Sequence, residues 1–207
     1  MIKYFLHSLV CIDEVICIDP HDGKSIGLTV PQISPKVILI THNHYDHDAY
    51  QIAKGSPLVK IKAMENFSIN NYTIFGFKTY HDKEKGRRRG DNVIYKIITP
   101  KGKKLVHLGD LGHKLSDELR ERLRNPDLLA IPVGGVITIN YIEAREIIDE
   151  LNPKIVLPIH YWINGHYMPL DTIEDFLNVM KGWKIIKIAE NKTIEEDSLE
   201  NKTILII

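Results

Sequence analysis

Val37-Ile38-Leu39-Ile40-Thr41-His42-Asn43-His44-Tyr45-Asp46-His47 is the stretch on which the reading of this chain turns. Its first four residues are aliphatic and largely β-branched, the pattern of a strand buried within a sheet. Four side chains that bind transition metals follow within six residues: His42, His44, Asp46 and His47. His42 and His44 stand two apart, so on an extended chain both imidazoles leave the same side. Asp46 lies where the strand must stop and is placed to open a helix over residues 46–54, with Gly55 and Pro57 as its stop. Imidazole and carboxylate gathered at a strand end suit borderline cations such as zinc. The bland alternative is a polar turn that is rich in histidine by accident.

Outward from this stretch, residues 2–19 alternate short apolar runs around Asp13-Glu14 and read as a hairpin, followed by a loop at residues 21–24. From Leu58 to Tyr80 the pattern has period two, with a turn at Asn70-Asn71, and predicts antiparallel strands. Residues 92–98 and 104–108 predict another hairpin. Residues 116–124 predict a short helix capped by Ser116, with Glu118 and Arg122 paired on one face. Beyond Pro126, strands at 128–133, 154–159, 183–188 and 203–207 are interleaved with helices at 141–151 and 171–181. Hairpins giving way to alternating helix and strand, twice over, predict a layered α/β architecture of two sheets covered by helices. No repeat, low-complexity tract or linker interrupts residues 1–207, so a single domain is expected.

Composition narrows the function. Across 207 residues, 27 basic side chains balance 27 acidic ones. That balance argues against a protein that coats nucleic acid or an anionic membrane. Cys11 and Cys17 both lie in apolar segments and read as two buried thiols, a disulfide requiring neighbouring strands to align them. The N-terminal region carries Lys3, Asp13 and Glu14 without a small-residue cleavage site, and no apolar run approaches a membrane span. A cytoplasmic protein is expected.

Three further positions repeat the geometry of a metal-capable residue just beyond an apolar strand: His81 after Thr79-Tyr80, Asp110 after Leu108-Gly109, and His160 after Leu157-Pro158-Ile159. Alone each is a weak signal. Their order after His-x-His-x-Asp-His resembles the metallo-β-lactamase superfamily. Ile18-Asp19-Pro20, His107-Leu108-Gly109-Asp110, Pro132-Val133-Gly134-Gly135 and Pro158-Ile159-His160-Tyr161 are most similar to its small metal-dependent hydrolases related to the ascorbate-6-phosphate lactonase branch. The resemblance implies a four-layer αβ/βα sandwich with two adjacent divalent cations, zinc first, with manganese or iron as alternatives. His42, His44 and His81 would hold one cation and Asp46, His47 and His160 the other, with Asp110 bridging. His107 could rival His81, but it sits three residues before Asp110 on one strand and points to the opposite face.

Two such cations about 3.5–4 Å apart can share a hydroxide and stabilise both attacking and leaving oxygens. Asp46 and Asp110 are the expected catalytic carboxylates, Asp46 also orienting water. Counting charges, the centre keeps about one positive unit and so favours an anionic or carbonyl substrate. Thr41, Asp19 and His7 are candidates for orienting the ligands. The loop Lys85–Asn92 is either a solvated hairpin tip or a clamp for phosphate or carboxylate, with Arg89 as the expected contact. Gly134-Gly135 with Thr138, and Tyr161 with His166, are expected to edge the pocket opposite. Tyr161 or His113 could touch substrate and protonate a leaving group. The expected function is hydrolysis of a phosphodiester, lactone or other ester of a small anionic molecule. The alternatives are an iron-dependent oxidoreductase with the same ligands, a nuclease of the same fold and a non-catalytic metal scaffold.

Overall fold

The computed structural model describes residues 1–189, 192–195 and 199–207. The apolar run Val37–Ile40 forms a fully buried strand, β4, in a sheet with Ile2–Tyr4 (β1), Val10–Ile12 (β2), Ile16–Ile18 (β3) and Leu58–Ile61 (β5). A two-residue strand, Thr193–Ile194 (β13), extends that sheet beside β1. The order is β13-β1-β2-β3-β4-β5, antiparallel up to β3 and parallel from β3 to β5. The chain then crosses to a second sheet. It contains Phe67–Ile69 (β6), Tyr72–Tyr80 (β7), Asp91–Ile98 (β8), Lys104–His107 (β9), Leu128–Pro132 (β10), Ile155–Ile159 (β11), Lys184–Lys187 (β12) and Thr203–Ile206 (β14). Its order is β12-β14-β11-β10-β9-β8-β7-β6.

Strand alternation divides the core into layers. On β10, Leu128 and Ala130 face the first sheet and join Ile16, Val37 and Leu39 between the sheets. Leu129 and Ile131 face the other way, against Ala144, Ile147 and Ile148 of helix α2 and Phe176 of helix α3. Helices α1 (Asp117–Leu123), α2 (Tyr141–Leu151) and α3 (Glu174–Val179) have these bounds. Asn140 caps α2 through the backbone N–H groups of Ile142 and Glu143, and the Glu143 carboxylate returns the bond to Asn140 N–H. The outer face of the first sheet is covered by Phe5, Leu9 and Ile33 from loops, with Ile52 and Ala53 packed beside them. The result is an αβ/βα sandwich whose first outer layer is mostly loop. No helix among the described residues is long and apolar enough to cross a membrane.

Several expectations require correction. Residues 46–54 hold a turn and one 3-10 turn, Tyr50–Ile52, in place of a helix. Ala49 N–H donates to Pro20 O, and the Asp46 carboxylate accepts from His7, so the helix-opening groups are spent elsewhere. β5 pairs in parallel with β4, and the antiparallel run begins only at β6. The helix expected over 171–181 is shorter because Thr172 forms a bridge with Trp162. Cys11 and Cys17 face each other across the β2–β3 register and form a disulfide, with Cα atoms 4.1 Å apart. Alignment by neighbouring strands was the condition for that pairing, and the three-residue turn after Ile12 supplies it.

Topology places the ligand-bearing ends together. β7 and β9 both run antiparallel to β8, while β9, β10 and β11 are mutually parallel, so the C-terminal ends of β7, β9, β10 and β11 share one edge. His81, Asp110 and His160 lie just beyond three of those ends. The disulfide is open to a direct check. Denatured but unreduced protein is expected to show no titratable thiol and reduced protein two, whereas two thiols before reduction would contradict the pairing.

Candidate metal centre

Asp110 follows β9 through Gly109, whose φ of 57° turns the chain sharply at the strand end. A side chain at Gly109 would collide with Asn92 Oδ1 and the Thr41 side chain, so glycine is required by space as well as by conformation. Asn92 Oδ1 accepts from Asp110 N–H at 3.0 Å, and its amide donates to Thr79 Oγ1 and Leu108 O. These bonds fix the backbone that carries the carboxylate. The Asp110 side chain then projects into a ring of imidazoles. Its Oδ2 lies 3.0 Å from His81 Nε2, 3.1 Å from His160 Nε2 and 3.6 Å from His42 Nε2, and its Oδ1 lies 3.3 Å from His47 Nε2. Asp46 Oδ2 is 3.3 Å from His47 Nε2 and 3.9 Å from His160 Nε2.

Despite these approaches, both Asp110 oxygens and the Nε2 atoms of His42, His47, His81 and His160 are buried without a hydrogen-bond partner. Buried polar atoms are normally bonded, and converging orphans of this kind are what a cation would satisfy. His42, His44 and His81 bring donor atoms within 4.8 Å of one another, and so do His7, Asp46, His47 and His160. The donor set, imidazole and carboxylate, fits divalent transition metals.

A second layer of bonds decides which nitrogen each ligand presents. Asp19 Oδ2 accepts from His47 Nδ1–H at 3.0 Å and from Thr41 Oγ1–H at 2.6 Å. Because the threonine proton is directed at Asp19, its oxygen accepts from His42 Nδ1–H at 2.9 Å. One carboxylate therefore leaves the Nε2 lone pairs of both His42 and His47 free for a cation. His7 Nε2–H donates to Asp46 Oδ2 at 2.9 Å. His7, Asp19 and His160 all have left-handed backbones, with φ near 50°. Such conformations persist only when surrounding contacts hold them, here including the bond from His160 N–H to His7 O.

Electrostatics agrees with a cation-seeking centre. Burial opposes charge on the Asp110 carboxyl, but His160, His47, His42 and His81 hold its pKa well below the usual carboxylate range. Burial likewise opposes charge on His47, yet Asp110 and Asp46 push its pKa well above the ordinary imidazole value. Burial lowers His7, His42 and His44. His166, 6% exposed and with both ring nitrogens unpartnered, is pushed down to about 4 by burial and by His160 and His21.

The seven side chains expected as ligands thus lie together, with His7, Asp19 and Thr41 bonded to members of the cluster. His107 is excluded as a ligand: its Nε2–H donates to Ser8 O, and its Nδ1 accepts from Gly109 N–H. The expected substrate contacts divide. Arg89 and Thr138 line a cleft that reaches His81. His113 is committed to the backbone, its Nε2 accepting from Tyr80 N–H and its Nδ1–H donating to Lys114 O. Tyr161, next to inward-pointing His160, turns into the core behind the second sheet and is 3% exposed. Burial pushes its pKa up to about 12, and its ring packs in the core away from the pocket. Sequence reasoning missed Asp82, whose carboxylate accepts from the N–H groups of Glu84, Gly86, Arg88 and Arg89 and folds the basic loop around itself. An aspartate opening a glycine-punctuated loop is the signal that could have found it.

The relatives of this sandwich, with its imidazoles and carboxylates gathered at one edge, are metal-dependent hydrolases. The chain belongs to the β-lactamase superfamily, whose domain model matches residues 2–160. It is 30% identical to a UPF0173 metal-dependent hydrolase of Thermoplasma volcanium over 188 residues, 77% of this chain and 83% of the relative. A Pyrococcus abyssi protein of the same name is 30% identical over 191 residues, 77% and 84% of the two chains. The crystal structure of a Thermotoga maritima member of the metallo-β-lactamase superfamily, provisionally described as a Zn-dependent hydrolase, superposes with a TM-score of 0.76. It is 28% identical and matches 99% of this chain and 97% of its own.

The buried histidines make the metal-free protein acid-sensitive. A group whose folded pKa is lowered below its unfolded value withholds a proton that the unfolded chain takes up, so stability falls as pH drops through that interval. For His166 the window runs from 6.5 to about 4. His47, with its pKa raised, is protonated in both states there and adds no slope. Chelated protein should melt at progressively lower temperature from pH 6.5 to 4, and His166→Phe should flatten part of that fall. Equal slopes in the two proteins would contradict the assignment.

Proposed function

We propose that the chain hydrolyses a phosphodiester, lactone or other ester of a small anionic molecule, using two adjacent divalent cations with zinc as the first choice. One cation would be held by His42, His44 and His81, the other by Asp46, His47 and His160, with Asp110 bridging. The observation that carries this reading is the Asp110 carboxylate. Its unbonded oxygens approach His81 of the first group and His47 and His160 of the second. When bound, such a pair of cations supplies Lewis acidity and a water acidified to near-neutral pKa.

The chain's own residues supply the rest. Asp19 and Thr41 hold the tautomers of His47 and His42. Burial works against ionised Asp46, but His47 and His7 keep its pKa far down, so it stays an acceptor able to orient a water. Arg89 offers a guanidinium for the substrate's negative group. The hydrolase names of the relatives support this reading over an iron-dependent oxidoreductase.

Elemental analysis of purified protein, paired with turnover of phosphodiester and lactone model substrates, tests the proposal. Two equivalents of zinc with ester cleavage are expected, and iron with oxygen consumption would overturn it. Asp110→Ala should lose at least one metal equivalent and all turnover, and an unchanged metal content would contradict the bridging role. Arg89→Ala should raise KM for anionic substrates roughly tenfold or more with kcat little changed, as expected for loss of a charge-assisted hydrogen bond. An unaltered KM would remove Arg89 from the site.

A further inference from the structure

The cleft that reaches His81 has about 340 Å³ of free volume, within the range of small-molecule sites. His81, Gly112, Arg88, Arg89, Val136 and Ile137 all line it. The lining is of two kinds. Among its charged residues, Lys83 is paired with Glu143 and Arg88 with Glu84. Arg89 lines the cleft without an ion-pair partner among the described residues, while its backbone N–H is fixed on Asp82 Oδ2.

Among its apolar residues, Val136 is 65% exposed and has a φ of 54°. A single exposed valine is ordinary. A β-branched residue in the left-handed region is not, because its side chain crowds the backbone there. The strain is not slack in a loose loop. Gly134 N–H donates to His160 O, Asp171 N–H to Gly134 O, Thr138 N–H to Gly135 O and Ile139 N–H to Leu111 O, so the turn is pinned on both flanks. A glycine would adopt this conformation without the steric strain, and the exposed valine gains little packing within the chain. Strained residues held in place by their surroundings cluster at ligand sites.

We infer that this cleft takes an amphiphilic anion, with its negative group on Arg89 and its apolar portion on Val136 and Ile137, and that Val136 sets the preference for that apolar portion. The inference rests on the proposed hydrolase reading only in treating His81 as the end of the reaction centre. A substrate of this class carries an alkyl or aryl group next to its phosphate or carboxylate. Small dianions without such a group meet only half of the site.

Binding of a homologous series of alkylphosphonates, methyl to hexyl, to the metal-loaded protein by calorimetry tests this without requiring turnover. In the wild type, affinity should rise by about fourfold for each of the first few methylenes, the gain expected for burying a CH2 group. In Val136→Gly the gain should fall below about twofold per methylene, a loss of the apolar contact. Arg89→Ala should weaken every member of the series together. Val136→Gly should melt no lower than the wild type, since its left-handed backbone is relieved. A series that is flat in the wild type, equal slopes in wild type and Val136→Gly, or a lower melting temperature for that variant would overturn the inference. The two readings fail separately. An intact series without ester turnover keeps the amphiphilic cleft and removes the hydrolase proposal, and turnover with a flat series does the reverse.

Discussion

A carboxylate buried to 1% exposure, with neither oxygen hydrogen-bonded, is the constraint around which this protein is built. Removing an ionised carboxylate from water costs several kcal/mol, about the scale of a domain's whole net stability, unless positive charge meets it. Asp110 is surrounded by four imidazoles whose nearest nitrogens are likewise unbonded. In the metal-free chain, a proton on His47 supplies part of the missing charge, drawn there by Asp110 and Asp46. A divalent cation does the same more completely and uses the lone pairs that the proton leaves idle. A cation held here would couple metal binding to folding, and its uptake would displace protons from the residues that hold it.

The rest of the molecule keeps those donors from collapsing onto alternative partners. Asp19 orients two histidines at once, one directly and one through Thr41. Asn92 ties the Asp110 backbone to the end of β7 through Thr79. Gly112 passes so close to His81, and Gly134 to His160, that a side chain at either glycine would collide with the backbone of the ligand it supports. Parallel alignment of β7, β9, β10 and β11 brings these pieces to one edge before any side chain acts.

Much of this was legible in the sequence because the relevant signals are local. The Val37–Ile40 run, the period-two alternation along β7 and the Ser116 cap of α1 are patterns a short window contains. The clustered imidazoles and carboxylates were legible because each follows a strand, and strand ends are visible as breaks in apolar runs. What escaped depended on distant partners. The expected helix after Asp46 is absent because His7 and Pro20, far away in sequence, take its capping carboxylate and a backbone N–H. Sheet membership of β5 and β6 follows from packing, since both read as the same period-two pattern. Tyr161 and His113 carry the right chemistry for a pocket, but Tyr161 packs into the core behind the second sheet and His113 is held by backbone bonds to Tyr80 and Lys114. Val136 gave no sequence signal because its backbone conformation is what sets it apart.

Electron paramagnetic resonance of protein fully loaded with Mn(II) tests the central claim most directly. If one carboxylate bridges two cations, the spins are exchange-coupled, and the signal of an isolated ion should vanish as the second equivalent binds. A six-line hyperfine pattern that simply doubles in intensity between one and two equivalents would mean separate ions and would contradict the shared role given to Asp110.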